Sequence, residues 1–253
     1  MLISIIFSLL TSIIFSVSQP EFVFEKELIY KADYFTIDQL GYLYVVKNSE
    51  VKKIDLKSNQ EKNYSNSMFG KIHSVDAADP FRTLLFYKDF NKIEILDKNL
   101  TQITSAINLD ELGYYNISAV CQSIDGGFWL FDQSLNQLVY VNKSLKTVKK
   151  SVQLSEMIDQ NTDQEQVFML EKNDYIYLGI RGEGILLFDN YGTYIKTFPI
   201  VNVSKFQVND ETISYHFQGK LFFYNTSYYS EEYIVLPKQT CANAMIVNKK
   251  LYI

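Results

Sequence analysis

The sequence predicts an all-β fold of repeated four-stranded units, and three observations carry that expectation. Alternation with a period of two runs along the chain while helix-period patterns are nearly absent. Composition agrees, since 19 Tyr and 18 Phe against only 4 Pro favour strands that pack on both faces. Third, a turn preceding a strongly hydrophobic strand recurs at Gln39-Leu40-Gly41, Asp79-Pro80-Phe81, Asp125-Gly126-Gly127, Asn173-Asp174, Asn209-Asp210 and Asn248-Lys249. These marker turns lie 36 to 48 residues apart, bracketing the ~40–45 residues of one propeller blade. The expected architecture is a β-propeller of about six four-stranded blades, with five to seven the range allowed by the uneven spacing.

The first five units follow the same order of elements. An aromatic-rich strand comes after the marker turn, then a short polar loop, then another strand ending in Asp or Asn. The first unit gives strands over 42–46 and 51–54 and closes on Asp55, and the second gives 83–87 and 93–96 and closes on Asp97. The third runs 128–131 and 138–141 to Asn142, the fourth 175–180 and 185–188 to Asp189, the fifth 212–217 and 221–224 to Asn225. An Asp or Asn at this position suits a turn because its side chain can accept a hydrogen bond from the backbone two residues on. Turn formation, rather than metal ligation, is therefore its expected role.

The third unit carries the clearest motif. In Asp125-Gly126-Gly127 glycine supplies positive φ without a Cβ clash, which suits a tight hairpin turn. The strand behind it holds Trp129, expected to be buried between neighbouring sheets. The last unit is short, so residues 22–30 are expected to pair as a strand beside 245–253 and close the ring, leaving no sheet edge. The stretch 154–166 reads as a polar loop with one helical turn.

Ser123-Ile124-Asp125-Gly126-Gly127-Phe128-Trp129-Leu130 is similar to the Asp-x-x-Gly-x-Leu-Trp-Ile core of two-component-regulator propellers. The units as a whole resemble blades of the NHL, PQQ-like and two-component-regulator propeller families. What the resemblance implies is a fold, because this motif builds blades and not sites.

The chain begins differently from how it continues. Residues 1–17 hold only apolar side chains with Ser and Thr, and the first charge is Glu21. This reads as a signal peptide over 1–18, cleaved after Ser18, or as an uncleaved membrane anchor, followed by one propeller domain over 19–253. The expected location is therefore periplasmic or extracellular, in the cell envelope, with membrane contact only through an uncleaved N-terminal segment. Two cysteines, Cys121 and Cys241, lie ahead of the third and sixth marker turns, on strands expected to face each other across the ring. They are expected to stay unpaired, because a disulfide needs Cα atoms within ~7 Å.

Chemistry is sparse. A net charge of -5 with dispersed Lys and Arg argues against nucleic acid, which demands a basic stripe. With only His73 and His216, each alternating with apolar neighbours, a histidine metal centre or a Ser-His-Asp site has little support, and both are expected to fill strand positions. No cofactor and no metal are expected. Arg181-Gly182-Glu183-Gly184 lacks the following helix and Lys-Ser/Thr of a phosphate loop and reads as a strand-to-strand turn.

Two functional classes follow. In the first, the chain is a non-catalytic scaffolding module. Loops joining second and third strands emerge on one face and carry Lys47, Lys88, Asp89, Gln133, Arg181, Glu183 and Lys220, a mixed-charge surface suited to a protein or glycan partner. The alternative is a propeller-type glycoside hydrolase using channel carboxylates Asp33, Asp76 and Glu165. Such an enzyme needs an acid and a base or nucleophile ~5–5.5 Å or ~6.5–9.5 Å apart.

Overall fold

The computed structural model describes residues 22–158, 166–238, 240–241 and 243–253. The first antiparallel blade is β1 (Tyr34–Ile37), β2 (Tyr42–Lys47), β3 (Glu50–Asp55) and β4 (Glu61–Ser65). The second is β5 (Ser74–Asp79), β6 (Arg82–Tyr87), β7 (Lys92–Asp97) and β8 (Ile107–Asn108). The third comprises β9 (Ile117–Gln122), β10 (Phe128–Asp132), β11 (Gln137–Val141) and β12 (Thr147–Lys150). The fourth follows with β13 (Val167–Lys172), β14 (Tyr175–Ile180), β15 (Gly184–Asp189) and β16 (Tyr194–Phe198). The fifth is β17 (Phe206–Asn209), β18 (Thr212–Phe217), β19 (Lys220–Asn225) and β20 (Glu231–Val235), and β21 (Met245–Val247) pairs with β22 (Lys250–Tyr252) in a sixth, two-stranded sheet.

All six marker turns fall between the first and second strand of a sheet. The residues closing each third strand behave as local hydrogen-bond chemistry requires. Asp97 Oδ1 accepts the N–H groups of Asn99 and Thr101 at 2.8 Å each, and Asp189 Oδ1 accepts those of Tyr191 at 2.9 Å and Thr193 at 2.8 Å. Asp55, Asn142 and Asn225 repeat the pattern on Lys57, Ser144 and Ser227. Gly126 takes φ +81°, as the turn needs, and a Cβ on Gly127 would lie 2.2 Å from the Val141 carbonyl.

Among the described residues six apolar clusters, one at each junction, close the ring. Tyr44, Val46 and Val75 pack blades one and two, while Phe86, Leu130 and Val139 pack two and three. Trp129, Tyr140, Ile176 and Leu178 fill the third junction, and Phe198, Phe206 and Tyr215 the fourth. The two-stranded sheet sits between blades five and one, with Ile246 and Leu251 against Leu221 and Ile234, and Val247 and Tyr252 against Ile37 and Leu43. Polar staples reinforce these seams. Lys53 Nζ donates to the Pro80 carbonyl at 3.1 Å, Asp76 Oδ2 accepts from Gln122 N–H at 2.7 Å, and Gln207 Oε1 accepts from Ile246 N–H at 3.0 Å.

Closure thus works by side-chain packing, and the expected pairing of 22–30 with 245–253 does not form. Residues 22–30 run outside any ladder, with Val23 and Ile29 facing solvent. They are held by Lys26 Nζ donating to the Leu56 carbonyl at 2.9 Å and by a Lys250–Glu25 ion pair at 2.5 Å. Side-chain contacts to both Leu56 of blade one and Lys250 of β22 thus take the place of a backbone ladder. Trp129 is 1% exposed, as expected of a residue between sheets. Both thiols are free, although Cys241 precedes β21 in a non-strand segment. His216 lies on β18, whereas His73 stands one residue before β5. The expected leader over 1–18 and Glu165 lie outside the described residues.

Candidate functional site

Antiparallel register decides which groups share an end of the ring. Tyr34 pairs with Val46, Ser74 with Phe86 and Phe206 with Tyr215, so the residues opening each innermost strand stand beside the end of the second strand. The loops joining second and third strands therefore emerge where the innermost strands begin.

All seven residues expected at this end are there. Lys47 closes β2 and pairs with Asp33 at 2.5 Å, and Lys88 and Asp89 lie in a 3₁₀ turn over Lys88–Phe90. Gln133 follows β10, its N–H donating to the Asn116 carbonyl at 2.9 Å. Arg181 and Glu183 occupy the turn between β14 and β15, with Arg181 Nη1 donating to Gln166 Oε1 at 3.0 Å. Lys220 opens β19 with its ammonium 3.9 Å from the Tyr233 ring centroid. They are spread over all five four-stranded blades, so the seven form a rim rather than a cluster. Met68, Phe90 and Tyr115 add exposed apolar surface to the same end.

Inside this rim, where the innermost strands converge, lies a cavity of about 40 Å³ lined among others by Tyr34, Thr36, Ser74, Lys205, Gln207 and Ser214. Lys205 precedes β17 and is partly buried, with Nζ 3.3 Å from the Tyr34 ring centroid. Such a cation–π contact steadies an ammonium but does not neutralise it. Among the described residues Lys205 forms no salt bridge. Desolvation pulls its pKa down to about 8. The Tyr34 hydroxyl is buried beside the Val75 backbone without a hydrogen bond of normal geometry, and burial raises its pKa. His73 packs edge-on to Phe86 with ring centroids 5.7 Å apart. Burial, with help from Lys88 and Lys205, pulls its pKa down to about 4, so the ring is neutral near neutrality.

The channel carboxylates serve the fold. Asp33 accepts Lys47 Nζ and the Asn48 N–H, while Asp76 spends one oxygen on the Ala78 N–H and the other on the Gln122 N–H of the next blade. Burial raises the Asp76 pKa, but both of its oxygens are held by backbone donors.

The sequence reading missed Tyr34, His73 and Lys205 as a group. The signal available was faint: each of the three stands at or just before the start of an innermost strand.

The chain is a β-propeller. No protein-family model matches it, and no curated protein matches it in sequence. Solved structures resemble it in fold. A streptogramin B lyase superposes with a TM-score of 0.57 at 12% identity, covering 81% of this chain and 68% of that one. A catalytically inactive virginiamycin B lyase from Staphylococcus aureus, with quinupristin, gives 0.56 at 13% over 81% and 69%. An extracellular domain from B. thetaiotaomicron gives 0.53 at 14%, over 78% of this chain and 28% of that one. Identities this low show the fold alone, and 582 matching chains indicate how widely it is shared.

Proposed function

We propose that this chain is an exported, non-catalytic binding module of the cell envelope that holds a protein or glycan partner on its loop end. The observation carrying this reading is that all five four-stranded blades place a polar loop at one end, around exposed Met68, Phe90 and Tyr115. Charged groups interspersed with exposed apolar side chains on a rigid ring suit partner recognition, with loops supplying contacts and blades supplying stiffness. The similarity to an extracellular domain supports export, as does the apolar run over 1–17. A glycosidase reading draws no support from Asp33 and Asp76, whose oxygens are occupied by Lys47 and backbone N–H groups.

The test is crosslinking of the full chain in the envelope fraction of cells that express it, together with a glycan array. Lys88→Glu with Arg181→Glu should abolish the captured species or glycan signal. Tyr191→Ala with Tyr228→Ala, which alters exposed rings at the opposite end, should leave it intact. The reverse pattern would place recognition on the other face and overturn the reading.

A further inference from the structure

We propose that the cavity at the loop end is a binding site for a small monocarboxylate of acetate size, with the Lys205 ammonium supplying the charge. Four features of the site combine in this. The first is charge: Lys205 reaches the cavity without an acidic partner among the described residues, while the other lining groups are neutral. Asp33, the acid adjacent to Tyr34 in sequence, is engaged by Lys47 at 2.5 Å and by the Asn48 N–H at 2.7 Å. A desolvated cation gains from a counter-ion that arrives with the ligand.

Hydrogen-bonding capacity is the second. Gln207 Oε1 is already taken by the Ile246 N–H, which leaves its Nε2 as the donor, and Ser74 and Ser214 add hydroxyls to the lining. The third feature is size. At about 40 Å³ the cavity is small, which suits a small ligand such as a carboxylate carrying a methyl.

The fourth is the apolar wall in the lining, made by Phe35, Val75, Phe168 and Phe206. A methyl group fits that wall, whereas chloride would leave it unfilled. One ammonium balances one negative charge, and a dianion such as phosphate would bring a second, uncompensated charge into a poorly solvated space.

Titration of the full chain with sodium acetate near neutral pH, at constant ionic strength set with sodium chloride, tests this through backbone amide shifts of Val75, Phe206 and Ala244. Saturable shifts are expected in the parent. Removing a charge-assisted hydrogen bond should weaken binding at least about tenfold in Lys205→Met, while Lys220→Met on the outer rim should bind as the parent does. Three results would overturn the proposal: no saturation in the parent, equal affinity in Lys205→Met, or chloride alone reproducing the shifts. If Lys205→Met loses its dispersed amide spectrum, Lys205→Gln replaces it and the parent titration still decides. The loop-end reading rests on Lys88 and Arg181 and survives either result.

Discussion

Trp129 of the third blade donates its indole N–H to Glu171 Oε2 of the fourth at 2.8 Å, and the other oxygen of Glu171 accepts the Ile124 N–H at 3.0 Å. One carboxylate thus fastens both the strand and the turn of the preceding blade. The indole also packs against Tyr140, ring centroids 5.2 Å apart, within the cluster that joins the two blades.

Trp129→Ala should therefore cost ~3–5 kcal/mol, because it empties a junction and takes the indole donor from Glu171 Oε2. Trp129→Phe keeps most of the volume and loses the N–H, so a smaller loss of ~1–3 kcal/mol is expected. Urea denaturation of the two variants checks the order, and equal losses would show that volume alone matters at this junction.

The turn closing β15 offers a local test. Asp189→Ala removes the acceptor for Tyr191 and Thr193 N–H groups, and a loss of ~1–2 kcal/mol with unchanged denaturant slope is expected. Asp189→Asn keeps an acceptor oxygen and should recover most of it, as Asn142 and Asn225 serve the same turn in two other blades.

Lys205 and His73 predict opposite ends of the pH profile. The Lys205 pKa falls to about 8 on folding, so the unfolded chain binds more protons above that value and stability rises with pH towards the ordinary lysine range. Lys205→Met should be more stable than the parent near neutral pH, by a margin that shrinks as pH climbs through this window. For His73, whose pKa falls to about 4, stability is lost as pH drops from the ordinary histidine value towards that figure. His73→Gln should flatten this acid limb. Paired denaturation curves across pH would expose a margin that does not move, contrary to both expectations.

Thiol chemistry separates the two cysteines. Cys121 is 0% exposed and burial pushes its pKa well up, whereas Cys241 is partly exposed, with Sγ 3.4 Å from His216 Nε2. Alkylation of the native chain should modify Cys241 and spare Cys121, with both reacting in denaturant. A linked Cys121–Cys241 peptide in unreduced digests would contradict the placement of both.

Much of the blade architecture was legible because its determinants are local. Asp97 and Asp189 bond backbone groups within four residues of themselves, and Gly126 meets its turn by its own φ. The rim residues were legible for the same reason, since a loop after a second strand always emerges at one end. Lys205 over Tyr34 was not, because the contact joins the first and fifth blades and depends on ring closure. Residues 22–30 misled in another way: Phe22 and Phe24 alternate as a strand would, but alternation specifies a pleat and not a partner.

The two-stranded sixth sheet makes the ring a clasp rather than a hoop. Three residue pairs, Met245 with Tyr252, Ile246 with Leu251 and Val247 with Lys250, hold that sheet together, where every other junction joins two four-stranded blades. Among the described residues β22 pairs with β21 alone, and elements held by so few ladder bonds open at free energies well below global unfolding. Heating or pulling should release this latch first and leave five blades standing as an arc, so the amides of Ile246 and Leu251 should exchange with solvent well before those of Leu130 or Leu178.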